Sequence, residues 1–293
     1  MKSKTLATGK THRQENFPVA SRLIKAEHRP IILAFYLFAR AADDVADDPD
    51  LTPARKIAGL DAMERSLIGE DAGGAAPEAA QLRLALAERR VTSRHALDLL
   101  AAFRLDVTKK RYADWADLMA YCALSAMPVG RFVLDVHGES PTTWPASDAI
   151  CAALQIINHL QDCGADYRNL DRVYLPLDAL AADGVGPEAL DAKFASPGLR
   201  ACLGEIAGKV AELLRDGQGL ADEIKDWRLR YEISIIHALA VRLTNRLKER
   251  DPLSEETHLG GFEAATTAGL AIVHRFTRGL GISPRVVASG VRS

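Results

Sequence analysis

Two stretches of this chain concentrate oxygen-bearing side chains: Arg40-Ala41-Ala42-Asp43-Asp44-Val45-Ala46-Asp47-Asp48, and Gln155-Ile156-Ile157-Asn158-His159-Leu160-Gln161-Asp162-Cys163-Gly164-Ala165-Asp166. On a helix Asp43 and Asp47 are i and i+4, so both carboxylates project from one face a turn apart, with Arg40 a turn earlier. Asn158, Asp162 and Asp166 repeat the same spacing and put an amide and two carboxylates in one stripe. The hard oxygen donors of the first stretch, with no His or Cys beside them, suit magnesium, which takes a few carboxylates together with phosphate oxygens and water. One acidic cluster alone reads equally well as a solvated helix end. Two such clusters facing each other across a cavity could hold metal ions against a diphosphate, and without metal the facing carboxylates would repel or take up protons.

The elements that must position these residues read as helices. Ile31 to Ala42 is an apolar run without Gly or Pro, too long for an ordinary strand, and Pro49 disfavours the α conformation at Asp48, so the acids fall in the last turns of that helix. Acidic groups there oppose the helix dipole at a cost of a few tenths to ~1 kcal/mol each, so a cation must offset them. The second stretch continues a helix whose N-cap is Ser147, and the chain leaves that helix after Asp166, through Tyr167 to Pro176. Further helices are expected at Pro53 to Ile68, Pro77 to Arg89, Ser93 to Thr108, Leu199 to Leu220, Trp227 to Lys248 and around Ala264 to Arg278. Asp114 to His137 is a dense apolar helix kinked by Pro128, with Ser125, Ala126 and Gly130 leaving room for close packing or a ligand. Ala181 to Pro197 reads as a loop with a short helix over the mouth of the cavity. His159 reads as a supporting residue behind the acids. Arg168, Arg228, Arg230 and Arg242 are either surface charge or phosphate contacts, and sequence does not decide between them.

With 293 residues, 48% of them hydrophobic, the chain can bury a sizeable core as one large domain or at most two. A net charge of -2 provides no basic footprint for nucleic acid. The four cysteines form no CxxC pair, which suggests a reducing compartment. Residues 1–12 lack an apolar signal core, and the longest uncharged apolar run, Pro30 to Ala39, is too short to span a bilayer, so a soluble cytoplasmic protein is expected. Residues 1–14 and 282–293 are expected to be poorly ordered tails. No basic amphipathic helix stands out as a membrane anchor.

Arg40-x-x-Asp43-Asp44-x-x-Asp47 and Gln155-x-x-Asn158-x-x-Gln161-Asp162-x-x-x-Asp166, followed by Arg172-Val173-Tyr174-Leu175-Pro176, resemble the two aspartate-rich motifs of the squalene/phytoene synthase family. The resemblance runs from about Asn16 to the helix between Tyr231 and Arg250. It implies a single-domain, all-α isoprenoid synthase fold over residues 1–293, with helices around a central apolar cavity that holds polyprenyl chains. It implies metal ligation by Asp43, Asp47, Asn158, Asp162 and Asp166, with Mg2+ as cofactor. Substrate or diphosphate contacts fall to Phe17, Tyr36, Arg40, Gln155, Arg172 and Tyr174, while Tyr121 matches a family tyrosine near the departing diphosphate or reacting carbon. Phe17, Phe35, Tyr36, Phe38 and Phe132 are the expected aromatic walls, able to stabilise a carbocation by roughly 0.5 to 2 kcal/mol each where ring faces are presented.

Three departures narrow the branch. Leu160-Gln161-Asp162 stands where condensing members usually carry Leu-Arg-Asp, the segment near the start reads Glu-Asn-Phe-Pro-Val, and the middle reads Ser-Ala-Met-Pro-Val-Gly. Losing a fixed arginine matters less to an enzyme that accepts one preformed diphosphate than to one that binds two. The pattern looks like the branch of bacterial hopanoid synthesis that converts presqualene diphosphate and water into hydroxysqualene and diphosphate without NADPH, alongside other enzymes of that pathway. Tyr121, Asn158 and Gln161 are then the candidates for positioning the quenching water. A head-to-head synthase joining two farnesyl or geranylgeranyl diphosphates is the nearer alternative, and a non-catalytic assembly factor the more distant one. An oily product implies transient contact with a membrane, at its cytoplasmic face.

Overall fold

The structure is a computed structural model and describes residues 23–70 and 76–279. Phe17, both expected tails and the loop at Asp71 to Gly74 lie outside these residues. The described chain is built of helices: α1 (Arg29–Asp47), α2 (Pro53–Ile68), α3 (Pro77–Arg89), α4 (Arg94–Thr108), α5 (Trp115–Ser125), α6 (Met127–Val136), α7 (Trp144–Leu170), α8 (Leu177–Ala182), α9 (Pro197–Gly217), α10 (Leu220–Glu223), α11 (Trp227–Glu249) and α12 (Gly261–Gly279). The family resemblance thus anticipates the fold class. Single helical turns at Pro141–Thr143 and Pro187–Asp191 complete the set, and one parallel bridge joins Arg111 to Val173.

Local sequence sets most helix starts. Pro occupies the first turn of α1, α2, α3, α6, α7 and α9, where its missing N–H is no loss. Thr52, Asp114 and Ser196 cap α2, α5 and α9 by accepting from Arg55, Asp117 and Leu199 N–H at 3.4, 2.8 and 3.2 Å. Two boundaries differ from expectation. Ser147 caps nothing, because Pro145 starts α7 at Trp144 and Ser147 is buried inside it. At the other end α7 runs past Asp166 to Leu170 and stops only where Asp171 turns left-handed, at φ 52°.

The expected kink at Pro128 is a break: Ala126 (φ -121°, ψ -48°) separates α5 from α6, although Ala126 N–H still donates to Cys122 O at 3.0 Å. By length and composition Trp115–Val136 could cross a membrane. Here its Leu118, Tyr121, Cys122, Phe132 and Leu134 are buried against the other helices. Gly130 allows α6 to lie close on α7, since a Cβ there would come 2.6 Å from Cys151 Sγ.

Two large apolar clusters organise the interior. One joins α5, α7, α9 and α11 through Ile156, Ile157, Leu160, Leu203, Ile206, Val210, Leu243 and Leu247. The other joins α1 to α4 and α6 through Phe35, Phe38, Leu60, Met63, Leu82, Leu100 and Phe132. Separately, His28, His137 and Asp226 tie the starts of α1 and α11 to the end of α6, with potential ligand atoms within 4.8 Å of one another. Lys25 Nζ already faces Asp226 at 3.2 Å and Arg89 Nη2 meets His28 Nδ1 at 2.8 Å. Burial holds both imidazoles below their usual pKa. Two cations facing in make this a structural polar joint rather than a divalent-metal site.

Candidate active site

Between the two apolar clusters lies a cavity of about 400 Å³, walled by α1, α4, α5, α7 and the segment after α7. From α1, Tyr36, Arg40, Asp43 and Asp47 recur at helical spacing and face inward. Gln155, Asn158, Asp162 and Asp166 face them from one stripe of α7. The i,i+4 spacing separates the carboxylates of the first motif: Asp44 turns out, with 67% of its side chain exposed, and Asp48 accepts from Asp50 N–H at 2.8 Å in the following turn.

The required counter-charges are present. Arg40 donates to Asp43 Oδ2 and to Asp44 Oδ1, both at 2.9 Å. Lys56 Nζ donates to Ala46 O at 2.8 Å in the last turn of α1, and Arg172 Nη2 reaches Asp47 Oδ1 at 2.7 Å. They do not balance the site. Although 39% of the Asp43 side chain is open, its carboxyl is pushed up to about 7, first by the surrounding protein and next by the charge of Asp47, with Arg40 pulling it down. An all-oxygen donor set from two facing helices, with the Asp43 carboxyl raised by burial and by Asp47, fits a hard divalent ion bound together with phosphate.

The back wall is a buried network. Asp106 of α4 accepts from Tyr121 Oη at 2.9 Å and Tyr174 Oη at 3.1 Å, while its backbone carbonyl accepts from Arg172 Nη2 at 3.0 Å. Burial raises the Asp106 carboxyl to about 6, against the pull of Arg172 and the two hydroxyls. Burial and the Asp106 charge hold both tyrosines well above their usual range. His159 stacks on Tyr174 with centroids 3.5 Å apart, and its Nε2 lies 3.0 Å from Gln155 Nε2. Only the amide can donate there, so His159 accepts. Burial, then Arg172, lowers it to about 3, which keeps the ring neutral. Ser125 lines the same wall one turn after Tyr121, its Oγ buried with no hydrogen-bond partner among the described residues.

Of the residues expected at the site, Tyr36, Arg40, Asp43, Asp47, Tyr121, Gln155, Asn158, Asp162, Asp166, Arg172 and Tyr174 all border the cavity. Gln161 does not. One residue is about 100° of helix, so it turns off the stripe of Asp162 and buries its amide, donating from Nε2 to Thr257 O at 3.2 Å. Phe35, Phe38 and Phe132 are core rather than cavity wall: Phe35 and Phe38 occupy the face of α1 that turns away from Tyr36 and Arg40, and Phe132 of α6 stacks on Phe35 at 3.9 Å. Of the expected aromatic walls Tyr36 lines the cavity, joined by Phe103, Tyr121, His159 and Tyr174. Arg168 donates toward Leu190 O, Arg230 to Ile224 O and Arg242 to Glu263, while Arg228 lies over Trp227; none lines the cavity. Asp106 was missed. Its signal is an acid at the i+7 place of the stripe Leu99, Ala102, Phe103, where an apolar residue is expected.

A profile of the family described as "Squalene/phytoene synthase" matches residues 10–263, which include both acidic stretches. The chain belongs to the squalene/phytoene synthase family. Within it, the chain is 58% identical to a protein named hydroxysqualene synthase from Rhodopseudomonas palustris, over 88% of each chain. It is 53% identical to a protein of the same name from Sinorhizobium fredii, over 86% of each. A solved squalene synthase from Alicyclobacillus acidocaldarius superposes with a TM-score of 0.68 at 29% identity, covering 78% of this chain and 88% of that one.

Proposed function

We propose that this enzyme converts presqualene diphosphate and water into hydroxysqualene and diphosphate, feeding the hopanoid branch of isoprenoid synthesis. The observation that carries the assignment is the gap in identity: three relatives named hydroxysqualene synthase match at 58%, 53% and 49%, while relatives named phytoene synthase match at 29% and 31%.

The chemistry fits the cavity. The carbon–oxygen bond to diphosphate breaks with its electron pair leaving on the phosphate oxygen, the cyclopropylcarbinyl cation opens, and a water oxygen forms the new bond and loses a proton. No electrons are gained or lost overall, so no nicotinamide is required. Arg40, Arg172 and Tyr36 would hold the diphosphate by charge and hydrogen bonding. Asp43, Asp47, Asn158, Asp162 and Asp166 would hold magnesium, which when bound supplies countercharge to the departing diphosphate. Tyr121 commits its proton to Asp106, so its oxygen is left to accept a hydrogen from the quenching water. Ser125 Oγ and Asn158 stand on the same cavity wall as further partners. Faces of Tyr121, Tyr174 and neutral His159 offer the cation π density without a strong nucleophile.

The test is incubation of the protein and magnesium with presqualene diphosphate, without NADPH, followed by mass analysis of the extracted lipid. The expected product is an alcohol with the squalene skeleton, reduced at least a hundredfold by Asp43→Asn or Asp162→Asn, since each removes a metal ligand. Inert presqualene diphosphate together with consumption of farnesyl or geranylgeranyl diphosphate would place the enzyme among the condensing synthases instead.

A further inference from the structure

α12 is amphipathic in the wrong sense for a helix that packs on a protein core. Its charged side chains turn toward the body: Glu263 pairs with Arg242 and Arg246, and Arg275 with Asp222 and the carbonyl of Ala221. Its apolar ones turn out. Phe262 is 85% exposed, Val273 59% and Phe276 58%, and with half-exposed Ile272 they share one face at helical spacing, while Leu270 borders the groove toward α11. No side chain described on this helix is buried. α12 lies along α11 beside a groove of about 940 Å³, and ion pairs join it to the body there. Single exposed apolar residues such as Leu84 are ordinary, whereas four on one helix face are a surface in want of a partner.

Charge identifies that partner. Besides the inward-paired Arg275, the sequence from Leu270 to Ser293 contains Arg278, Arg285, Arg292 and His274 but no Asp or Glu, in a chain whose net charge is -2. An outward apolar face beside a basic, acid-free stretch is the composition that lies flat in an anionic lipid interface. We propose that α12 is the membrane-docking element of this enzyme, its apolar face entering the headgroup boundary of a bilayer rich in anionic phospholipid. The inference rests on the proposed function only in that a lipid substrate gives such docking a use; the surface itself is read from α12.

Flotation of the full-length protein with phosphatidylcholine–phosphatidylglycerol vesicles tests it. The expected result is co-flotation that weakens about tenfold on phosphatidylcholine alone or in about 0.5 M salt, where charge attraction is screened. Val273→Glu/Phe276→Glu should lose at least about tenfold in binding, with an unchanged circular dichroism spectrum, while Leu84→Glu on α3 should bind as wild type. Wild type that stays with the soluble fraction, or a double variant that floats as well as wild type, would overturn the proposal. So would a wild-type dimer that the double variant turns into a monomer, which would assign the face to a second copy. Hydroxysqualene formation from detergent-dispersed presqualene diphosphate, read in parallel, reports the catalytic assignment on its own: alcohol without flotation rejects the docking surface, flotation without alcohol rejects the activity.

Discussion

Asp106 links the two tyrosines at the back of the cavity and, through its carbonyl, Arg172, which pairs with Asp47 at the acidic edge. Its raised pKa has a defined sign in stability. The native state holds the proton more tightly than the unfolded chain, so the contribution is fully present below the ordinary 3.8 and is lost as pH rises through about 6. Integrated over that window it amounts to at most about 3 kcal/mol. Asp106→Asn does not titrate, so its melting temperature should fall less than that of wild type between these pH values; parallel profiles would show that Asp106 does not carry the shift. Gln161 gives a contrasting prediction. With its amide on Thr257 O, Gln161→Leu should cost about 1 to 3 kcal/mol of stability through an unsatisfied buried carbonyl and leave the product unchanged. A switch to another terpene would return Gln161 to the chemistry. The acids of the site were legible because i,i+4 spacing fixes a helix face. Gln161 was misread because adjacency in sequence to Asp162 is not adjacency in the cavity, and Asp106 was overlooked because it stands alone.

At the scale of elements, the approach of α6 to α7 determines how α5, joined to α6 at the Ala126 break, presents Tyr121 and Ser125. Gly130→Val would place a methine carbon 2.6 Å from Cys151 Sγ and against Ser147 Oγ, so it should destabilise by about 1 to 3 kcal/mol and lower turnover together, as overpacking forces the helices apart. Full activity and an unchanged melting temperature would mean that α7 yields freely there. Most helices were legible from their starts, because first-turn prolines and Ser, Thr or Asp caps are local signals. The limits of α7 were not: Ser147 looks like a cap but is buried packing, and the helix continues past Asp166 because Tyr167 to Leu170 contain no breaker. The outward apolar face of α12 was also illegible, since periodicity shows that a face exists but not which side the protein covers.

Across the whole molecule, two apolar clusters meet at a seam where one helix from each side contributes carboxylates, and that seam is where a diphosphate can be bound and a cation kept from bulk water. The all-α architecture was legible through the family resemblance, which links two motifs about a hundred residues apart that no local periodicity could connect. In the proposed reaction diphosphate leaves by carbon–oxygen rupture, and the alcohol oxygen comes from water. The most direct measurement is turnover of presqualene diphosphate in oxygen-18 water, with mass analysis of the alcohol. One heavy oxygen in hydroxysqualene is the result expected of ionisation followed by water capture. An unlabelled alcohol with the cyclopropane intact would mean cleavage between phosphorus and oxygen, as in a phosphatase, and would contradict the account.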